Sequence, residues 1–211
     1  MKNQDRLGIK VCGMRDPQNL EQLCELAPEY VGFIFYPPSK RFVGSDPDRA
    51  LFEIPGAGIK KAGVFVNEDF GKLINYVEKF GLEAVQLHGE ESREYCERLS
   101  REPVELIKAL NPALSGFEVE KYLGLVDLFL FDSAGTAYGG SGQKFDWSLL
   151  EDFGHSVPFL LSGGIGPGDA VKINTMNYKG LMGVDINSRF ELSPGMKDVE
   201  AVKKFITEIR K

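Results

Sequence analysis

The sequence lacks the features of several protein classes. No run approaches the ~20 consecutive apolar residues that a membrane-spanning helix needs, and the stretch MKNQDRLGIK lacks the apolar core of a signal peptide. We therefore expect a soluble chain with no membrane partner. Cysteine is also scarce, since Cys12, Cys24 and Cys96 are an odd number without CxxC or metal-finger spacing. This argues against a disulfide framework and for a reducing compartment, which predicts a cytoplasmic location.

Positive charge is not in excess either. The chain has 25 Lys and Arg against 31 Asp and Glu, a formal net charge of -6. Nucleic acids bind surfaces on which Lys and Arg are concentrated, so we expect no nucleic-acid partner and only a local phosphate site. The sequence also has no GxxxxGK[ST] segment and no GxGxxG after its first apolar run. Neither a nucleoside-triphosphate loop nor a dinucleotide fold is therefore indicated.

What the chain does have is a repeated alternation along its 211 residues. Short apolar runs are followed by a polar or glycine-containing loop and then by apolar residues at helical spacing, which is typical of a parallel sheet. Eight strands are predicted, at residues 8–12, 30–35, 61–66, 84–88, 104–109, 126–132, 157–162 and 181–186. Eight such units predict an α/β fold, a closed βα barrel forming a single domain over residues 1–211, although ~250 residues are typical of it. A doubly wound open sheet is the competing architecture.

Helix signals accompany the strands. Asp16 and Pro17 are typical of an N-cap and a first helical position. Residues 69–80 and the stretch from residue 199 place apolar side chains on one face, as amphipathic helices do. Residues 45–58 and 111–124 leave room only for brief helices, which accounts for the short chain.

Four polar residues end predicted strands, where barrel enzymes hold their chemistry. Cys12 ends the first strand in KVCGM, His88 ends VQLH, Asp132 ends VDLFLFD and Asp185 ends LMGVD. Taken alone, Cys12 is more typical of a small buried hydrophobe, since a reactive thiol needs its pKa lowered from about 8.5 toward neutrality. The aspartates fit loop capping as well as acid–base chemistry. His88 is more typical of a hydrogen-bonded strand-end residue than of a catalyst.

The loops add two candidate binding features. LSGGIGPGDA follows strand seven and NSRFELSPGMKD follows strand eight, where barrels often bind phosphate. Gly163 and Gly164 allow backbone N–H groups to approach an anion closely. Arg41 in PPSKRFV offers a planar donor fork for a carboxylate, although an exposed loop arginine is the commoner interpretation. The segment SAGTAYGGSGQKFDW after Asp132 is long enough for a mobile lid or a simple connection.

Taken together, several segments resemble one known family in order and spacing. They are KVCGM, VGFIFYPPSKRFV, KAGVFVN, VQLHGEE, LFDSAGTAYGGSGQKFDW, LSGGI and GVDINSRFE. They resemble the phosphoribosylanthranilate isomerase family over nearly the whole chain. The resemblance implies a βα barrel without cofactor or metal that isomerises a phosphorylated sugar–anthranilate substrate in tryptophan biosynthesis. The oligomeric state is left open between a monomer and a homodimer.

The resemblance also implies roles for matching positions. Cys12 corresponds to the general base and Asp132 to the general acid of an Amadori rearrangement. Arg41 is expected to contact the anthranilate carboxylate, and Asp185 to orient the substrate. The phosphate-binding residues implied in the same way are Gly163, Gly164, Asn187 and Ser188.

One position departs from the family pattern, and two other functions remain open. Arg189 stands where family members commonly have glycine, and it either contacts the phosphate or points to solvent. A related barrel isomerase of histidine biosynthesis uses paired aspartates, and Cys12 stands where that enzyme is expected to have one of them. A barrel that only binds a sugar phosphate predicts affinity without turnover.

Overall fold

The computed structural model describes residues 6–112, 119–133, 144–151 and 158–211. Eight parallel strands form a closed barrel in chain order, and β1 pairs with β8 to complete the ring. The strands are β1 Gly8–Cys12, β2 Tyr30–Ile34, β3 Lys60–Phe65, β4 Ala84–Leu87, β5 Glu105–Leu110, β6 Leu128–Phe131, β7 Phe159–Leu161 and β8 Leu181–Ile186. The closed barrel is therefore confirmed, and the open sheet is wrong because both of its edges would have to stay unpaired.

Helical segments connect the strands on the outside. The α-helices are α1 Pro17–Cys24, α2 Phe70–Phe80, α3 Arg93–Leu99, α4 Ala170–Asn174 and α5 Val199–Ile209. Single 3-10 turns cover Arg49–Glu53, Trp147–Leu150, Pro167–Asp169 and Ser188–Phe190. The first of these confirms the brief helix predicted within residues 45–58. The prediction for residues 111–124 falls in part outside the described residues, which omit 113–118.

A small hairpin follows β8 and was not predicted. It consists of β9 Glu191–Ser193 and β10 Met196–Lys197, which pair antiparallel with a register shift. Asn19 of α1 holds it, since its amide donates to the Lys197 carbonyl at 2.9 Å and accepts from the Lys197 N–H at 2.7 Å. The hairpin is thereby fixed to the first helix.

The predicted helix starts are confirmed by their capping contacts. The Asp16 carboxylate accepts from the Asn19 N–H at 2.8 Å, and Pro17 occupies the first turn of α1. The Asp69 carboxylate accepts from the Lys72 N–H at 3.0 Å to start α2. These side chains satisfy N–H groups that a helix itself leaves unpaired.

The barrel has an apolar interior of alanine, isoleucine and leucine side chains. It contains Ala62, Ala84, Ile107, Ala109, Leu128, Leu130 and Leu160. A larger apolar layer lies between strands and helices. Because side chains alternate along a strand, the residues two positions further along face the same interior at the carboxyl ends. This alternation brings Val64, Gln86, Asp132 and Ser162 to one open end of the barrel. No helix among the described residues is long and apolar enough to span a membrane.

Candidate active site

A cavity opens at the carboxyl ends of the strands. All eight residues that the sequence indicated as site residues line it, namely Cys12, Arg41, Asp132, Gly163, Gly164, Asp185, Asn187 and Ser188. His88 lines it as well. These residues come from β1, β2, β4, β6, β7, β8 and the loops that follow them. They become neighbours because the barrel closes.

Cys12 ends β1 and is only 3% exposed, yet its thiol forms part of the cavity wall. Its neighbour in the sheet is Gly32 of β2. A Cβ atom at Gly32 would lie 2.9 Å from the Cys12 sulfur and 3.1 Å from its Cα. Glycine at this position therefore leaves the space that the thiol occupies.

The ionisation of Cys12 differs from the sequence-based expectation. Burial raises the pKa of the Cys12 thiol, and although the charges of Lys10 and Lys197 act in the opposite direction, the net direction is upward. The nearby Asp185 carboxylate also raises it. The expected shift toward neutrality is thus not found, and the two lysines limit the cost of forming a thiolate.

Asp132 faces the same cavity and contacts His88. One carboxylate oxygen accepts from the Ser133 N–H at 2.8 Å, and the other lies 3.3 Å from Nε2 of His88. The Gln86 amide nitrogen lies 2.8 Å from Nδ1 of His88. With that amide as donor, Nδ1 accepts and Nε2 carries the hydrogen that points to Asp132. The structure therefore gives His88 a direct contact with the candidate acid, which the strand-end pattern had not indicated.

Asp185 is fixed by a buried lysine that the sequence patterns did not single out. Lys10 Nζ lies 2.8 Å from Asp185 Oδ1, and the Ser162 hydroxyl lies 3.3 Å from Oδ2. Lys10 is fully buried on β1, next to Asp185 in the sheet. The signal for it was a charged residue inside the apolar strand GIKVC, because a charge is buried only when it is paired.

Arg41 also has a partner that no sequence pattern indicated. Its guanidinium binds the Glu191 carboxylate, with Nη2 at 2.7 Å from Oε2 and Nε at 2.8 Å from Oε1. Lys197 Nζ lies 2.6 Å from the same carboxylate and 2.7 Å from the Asn187 amide oxygen. The expected exposed loop arginine is therefore a nearly buried cation with a fixed orientation.

The glycine loop after β7 approaches the candidate acid closely. Gly163 and Gly164 have φ angles of 78° and 65°, which favour glycine. A Cβ atom at Gly163 would lie 2.8 Å from the Ser133 nitrogen and 3.3 Å from an Asp132 carboxylate oxygen. Asn187 and Ser188 approach the cavity from the loop after β8. The loops after β7 and β8 thus line the same cavity as the candidate acid.

Arg189 and the connection after β6 lie at the rim. Arg189 is exposed, and a Cβ atom at Gly166 would lie 3.4 Å from its Cδ atom. Lys144 binds Asp169 at 2.6 Å, and Asp169 also accepts from the Gly166 N–H at 2.7 Å. Most of the predicted lid, residues 134–143, lies outside the described residues, as does His155. Within the described ranges, no group of three or more His, Cys, Asp or Glu side chains is arranged to hold a metal ion.

Known proteins resemble this chain over nearly its whole length. Residues 9–208 match the family model of N-(5'phosphoribosyl)anthranilate (PRA) isomerase. A relative from Parabacteroides distasonis named N-(5'-phosphoribosyl)anthranilate isomerase is 44% identical over 205 residues, which cover 95% of this chain and 92% of the relative.

Solved structures match in fold. A crystal structure of mutually generated monomers of dimeric phosphoribosylanthranilate isomerase from Thermotoga maritima gives a TM-score of 0.80 at 30% identity, covering 96% of this chain and 98% of the other. A phosphoribosyl anthranilate isomerase in complex with reduced 1-(O-carboxyphenylamino)-1-deoxyribulose 5-phosphate gives the same score, identity and coverage of 96% and 98%. Since the family model matches residues 9–208 and a relative is 44% identical over 95% of the chain, the chain belongs to the N-(5'-phosphoribosyl)anthranilate isomerase family.

Proposed function

We propose that the protein isomerises N-(5-phosphoribosyl)anthranilate to 1-(2-carboxyphenylamino)-1-deoxyribulose 5-phosphate in tryptophan biosynthesis. The observation that carries the proposal is a thiol and a carboxyl group, Cys12 and Asp132, in the wall of one cavity that two glycine-containing loops also border. Membership of the family supports the same reaction.

Ring opening comes first in the proposed reaction. Asp132 donates a proton to the furanose ring oxygen, the bond from C1 to that oxygen breaks, and the nitrogen lone pair forms a protonated Schiff base. The Asp132 carboxylate that remains accepts a hydrogen bond from the Ser133 N–H and lies 3.3 Å from Nε2 of His88. These groups stabilise the charge that the proton transfer leaves on Asp132.

Proton abstraction from C2 comes next. The Cys12 thiolate removes this proton, the C–H electrons form the C1=C2 bond of an enolamine, and the nitrogen becomes neutral. The enolamine then tautomerises, as C1 gains a proton and the C2 hydroxyl loses one, to give the ketone. Because every step is a proton transfer or a tautomerisation, this route uses no metal and no redox cofactor.

The remaining residues bind the substrate in this proposal. Arg41 contacts the anthranilate carboxylate, since a guanidinium matches a carboxylate geometrically. Asp185, held by Lys10 at 2.8 Å, orients the sugar hydroxyl groups. The phosphate is bound by the loops that contain Gly163, Gly164, Asn187 and Ser188, where backbone N–H groups are accessible.

The proposal also covers the assembly and the location of the protein. We expect residues 1–211 to act as one catalytic domain in the cytoplasm, which agrees with free thiols at Cys12, Cys24 and Cys96. We expect a monomer or a homodimer, since the Thermotoga maritima relative is described as dimeric. The proposed partner is the small phosphorylated substrate, without nucleic acid or membrane.

The test is a fluorescence assay that follows the loss of N-(5-phosphoribosyl)anthranilate. Cys12→Ala and Asp132→Asn are each expected to lower kcat by roughly 10²-fold or more, because each removes a general acid or base. Cys24→Ala is the matched control, since Cys24 lies at the end of α1 and not among the residues that line the cavity. It is expected to keep the parental rate.

Two results would contradict the proposal in different ways. If Cys12→Ala and Asp132→Asn fold and keep the parental rate, the assigned acid and base are wrong although the reaction stands. If the parent binds the substrate and does not convert it, the protein is a binding module and the reaction itself is wrong.

A further inference from the structure

One edge of the Arg41 guanidinium is held by the buried carboxylate of Glu191, which lies after the last barrel strand. Glu191 of β9 accepts from Nε at 2.8 and 3.0 Å and from Nη2 at 2.7 Å. A guanidinium has five N–H donors in one plane, and this pair uses those on the edge between Nε and Nη2. The edge between Nη1 and Nη2 keeps two parallel N–H groups. That edge has the geometry to bind a second carboxylate with two hydrogen bonds.

The position of the Arg41 stem is fixed as well. A Cβ atom at Gly13 would lie 2.7 Å from Cδ and 3.4 Å from Cβ of Arg41. The stem therefore packs directly on the backbone that follows Cys12. Since Arg41 lines the cavity and is only 9% exposed, its head group has little freedom beyond what Glu191 allows.

Glu191 is itself held rigidly in its charged form. Its Oε1 atom accepts from Lys197 Nζ at 2.6 Å and from the Gly195 N–H at 3.1 Å. Burial alone raises the pKa of Glu191, but the hydrogen bond from Arg41 and the charge of Lys197 outweigh burial and hold this pKa below its usual range. Asn19 fixes the Lys197 backbone from α1. The cluster of Arg41, Glu191 and Lys197 thus has two cations for one carboxylate, an excess that an anionic group on the substrate would balance.

We propose that Glu191 is a positioning residue that determines specificity for a carboxylated aromatic amine. It holds Arg41 by one edge so that the other edge is ready for the carboxylate of the substrate before binding. This preorganisation lowers the cost of ordering a long side chain. The inference rests on the proposed function and deepens it, because it explains how the same site selects its aromatic part.

The experiment compares two substrates that differ only in this carboxylate, N-(5-phosphoribosyl)anthranilate and N-(5-phosphoribosyl)aniline. In Glu191→Gln, kcat/KM for the anthranilate compound is expected to fall about tenfold or more, through KM, with kcat within about threefold of the parent. For the aniline compound, kcat/KM is expected to stay within about twofold of the parent. Glu29→Gln is the matched control, because Glu29 also binds an arginine, Arg210, at 3.0 Å, and neither residue lines the cavity.

Two further variants make the test independent of folding problems in Glu191→Gln. Glu191→Asp keeps the charge for Lys197 but is one methylene shorter, so it is expected to give the same substrate-dependent loss. Arg41→Lys removes the fork, and in combination with Glu191→Gln it is expected to be no worse than Arg41→Lys alone, since both act on one contact.

The possible results distinguish a failure of this inference from a failure of the proposed function. Equal losses on both substrates in Glu191→Gln and Glu191→Asp would show that Glu191 only supports the fold, and unchanged kinetics would show that it does not position Arg41. Either result overturns the inference while the parent still converts the anthranilate compound. If the parent converts neither compound, the proposed function has failed first.

Discussion

Cys12 and Lys10 lie two positions apart on β1 and therefore face the same interior of the barrel. Burial disfavours a charged thiol, whereas a buried ammonium group nearby favours it, and the pKa of Cys12 reflects both effects. Asp185 balances the lysine at 2.8 Å. The pKa of Cys12, and with it the free-energy cost of forming the thiolate, thus depends on Lys10, which need not contact the substrate.

Lys10→Met is expected to raise the pKa of Cys12 further, because it removes a charge that stabilises the thiolate. If the thiolate is the base, the rising limb of kcat/KM against pH moves to higher pH, by about one unit or more. The measurement is the pH–rate profile of folded protein, checked by circular dichroism.

Lys108→Met is the matched control for this change. Lys108 is also a buried strand lysine, paired with Glu91 at 2.9 Å, but it faces the helices and does not line the cavity. Both variants leave a buried carboxylate unpaired and are expected to lose roughly 3–5 kcal/mol of stability. An equal pH shift in both variants, or none in Lys10→Met, would contradict the role of Lys10.

At the scale of elements, α3 carries a fully buried thiol whose ionisation is coupled to folding. Burial raises the pKa of Cys96 to about 11, whereas an unfolded cysteine has a pKa of about 8.5. Between these values the folded state binds more protons than the unfolded state. The free energy of unfolding therefore falls as the pH rises through this window, and the contribution is complete only below the unfolded value.

Cys96→Ala is expected to remove the part of the decrease in unfolding free energy at high pH that comes from this thiol. Urea unfolding at about pH 8 and about pH 10 should show a decrease in the parent that exceeds the decrease in the variant by about 2 kcal/mol. Cys24→Ala is a second test of the same argument, because burial raises the pKa of Cys24 to about 11 as well, and a similar reduction of the decrease is expected. Identical pH dependence in parent and Cys96→Ala would show that this thiol does not govern the decline.

Elements with local signals were predictable, and elements without them were not. Asp16 and Pro17 start α1, and the apolar spacing of residues 69–80 corresponds to α2, since caps and periodicity act over a few residues. The hairpin β9–β10 has strands of three and two residues. Such short strands carry no periodic pattern, and this hairpin depends on Asn19, which is 178 residues away from Lys197.

At the scale of the whole molecule, closure depends on close contact between β1 and β8. Gly183 pairs with Gly8, and a Cβ atom at Gly183 would lie 2.3 Å from the Gly8 carbonyl oxygen. The obstructing atoms belong to the backbone and cannot rotate away. The two strands can approach this closely because Gly183 has no side chain there.

Gly183→Ala is therefore expected to destabilise the protein by about 2 kcal/mol or more, since β1 and β8 must separate locally. Gly56→Ala is the control, because a Cβ atom at Gly56 meets no atom within 4 Å. The measurement is the urea unfolding midpoint of each variant. A change below about 0.5 kcal/mol in Gly183→Ala would show that closure tolerates the added methyl group.

The fold class and the residues that end the strands could be predicted from local patterns in the sequence. Alternating strand and helix signals are local, and a polar residue such as Asp132 at the end of an apolar run is visible without coordinates. The family resemblance then supplied roles for these positions.

The pairing of the buried charges, in contrast, became visible only in the folded barrel. The pairs Lys10–Asp185 and Arg41–Glu191 join residues 175 and 150 positions apart. No local pattern encodes such a pair, because its partners become neighbours only when the barrel closes. Burial raises the pKa of Cys12, whereas Arg41 and Lys197 lower that of Glu191. Both effects depend on groups that the whole fold brings together rather than on neighbouring residues in the chain.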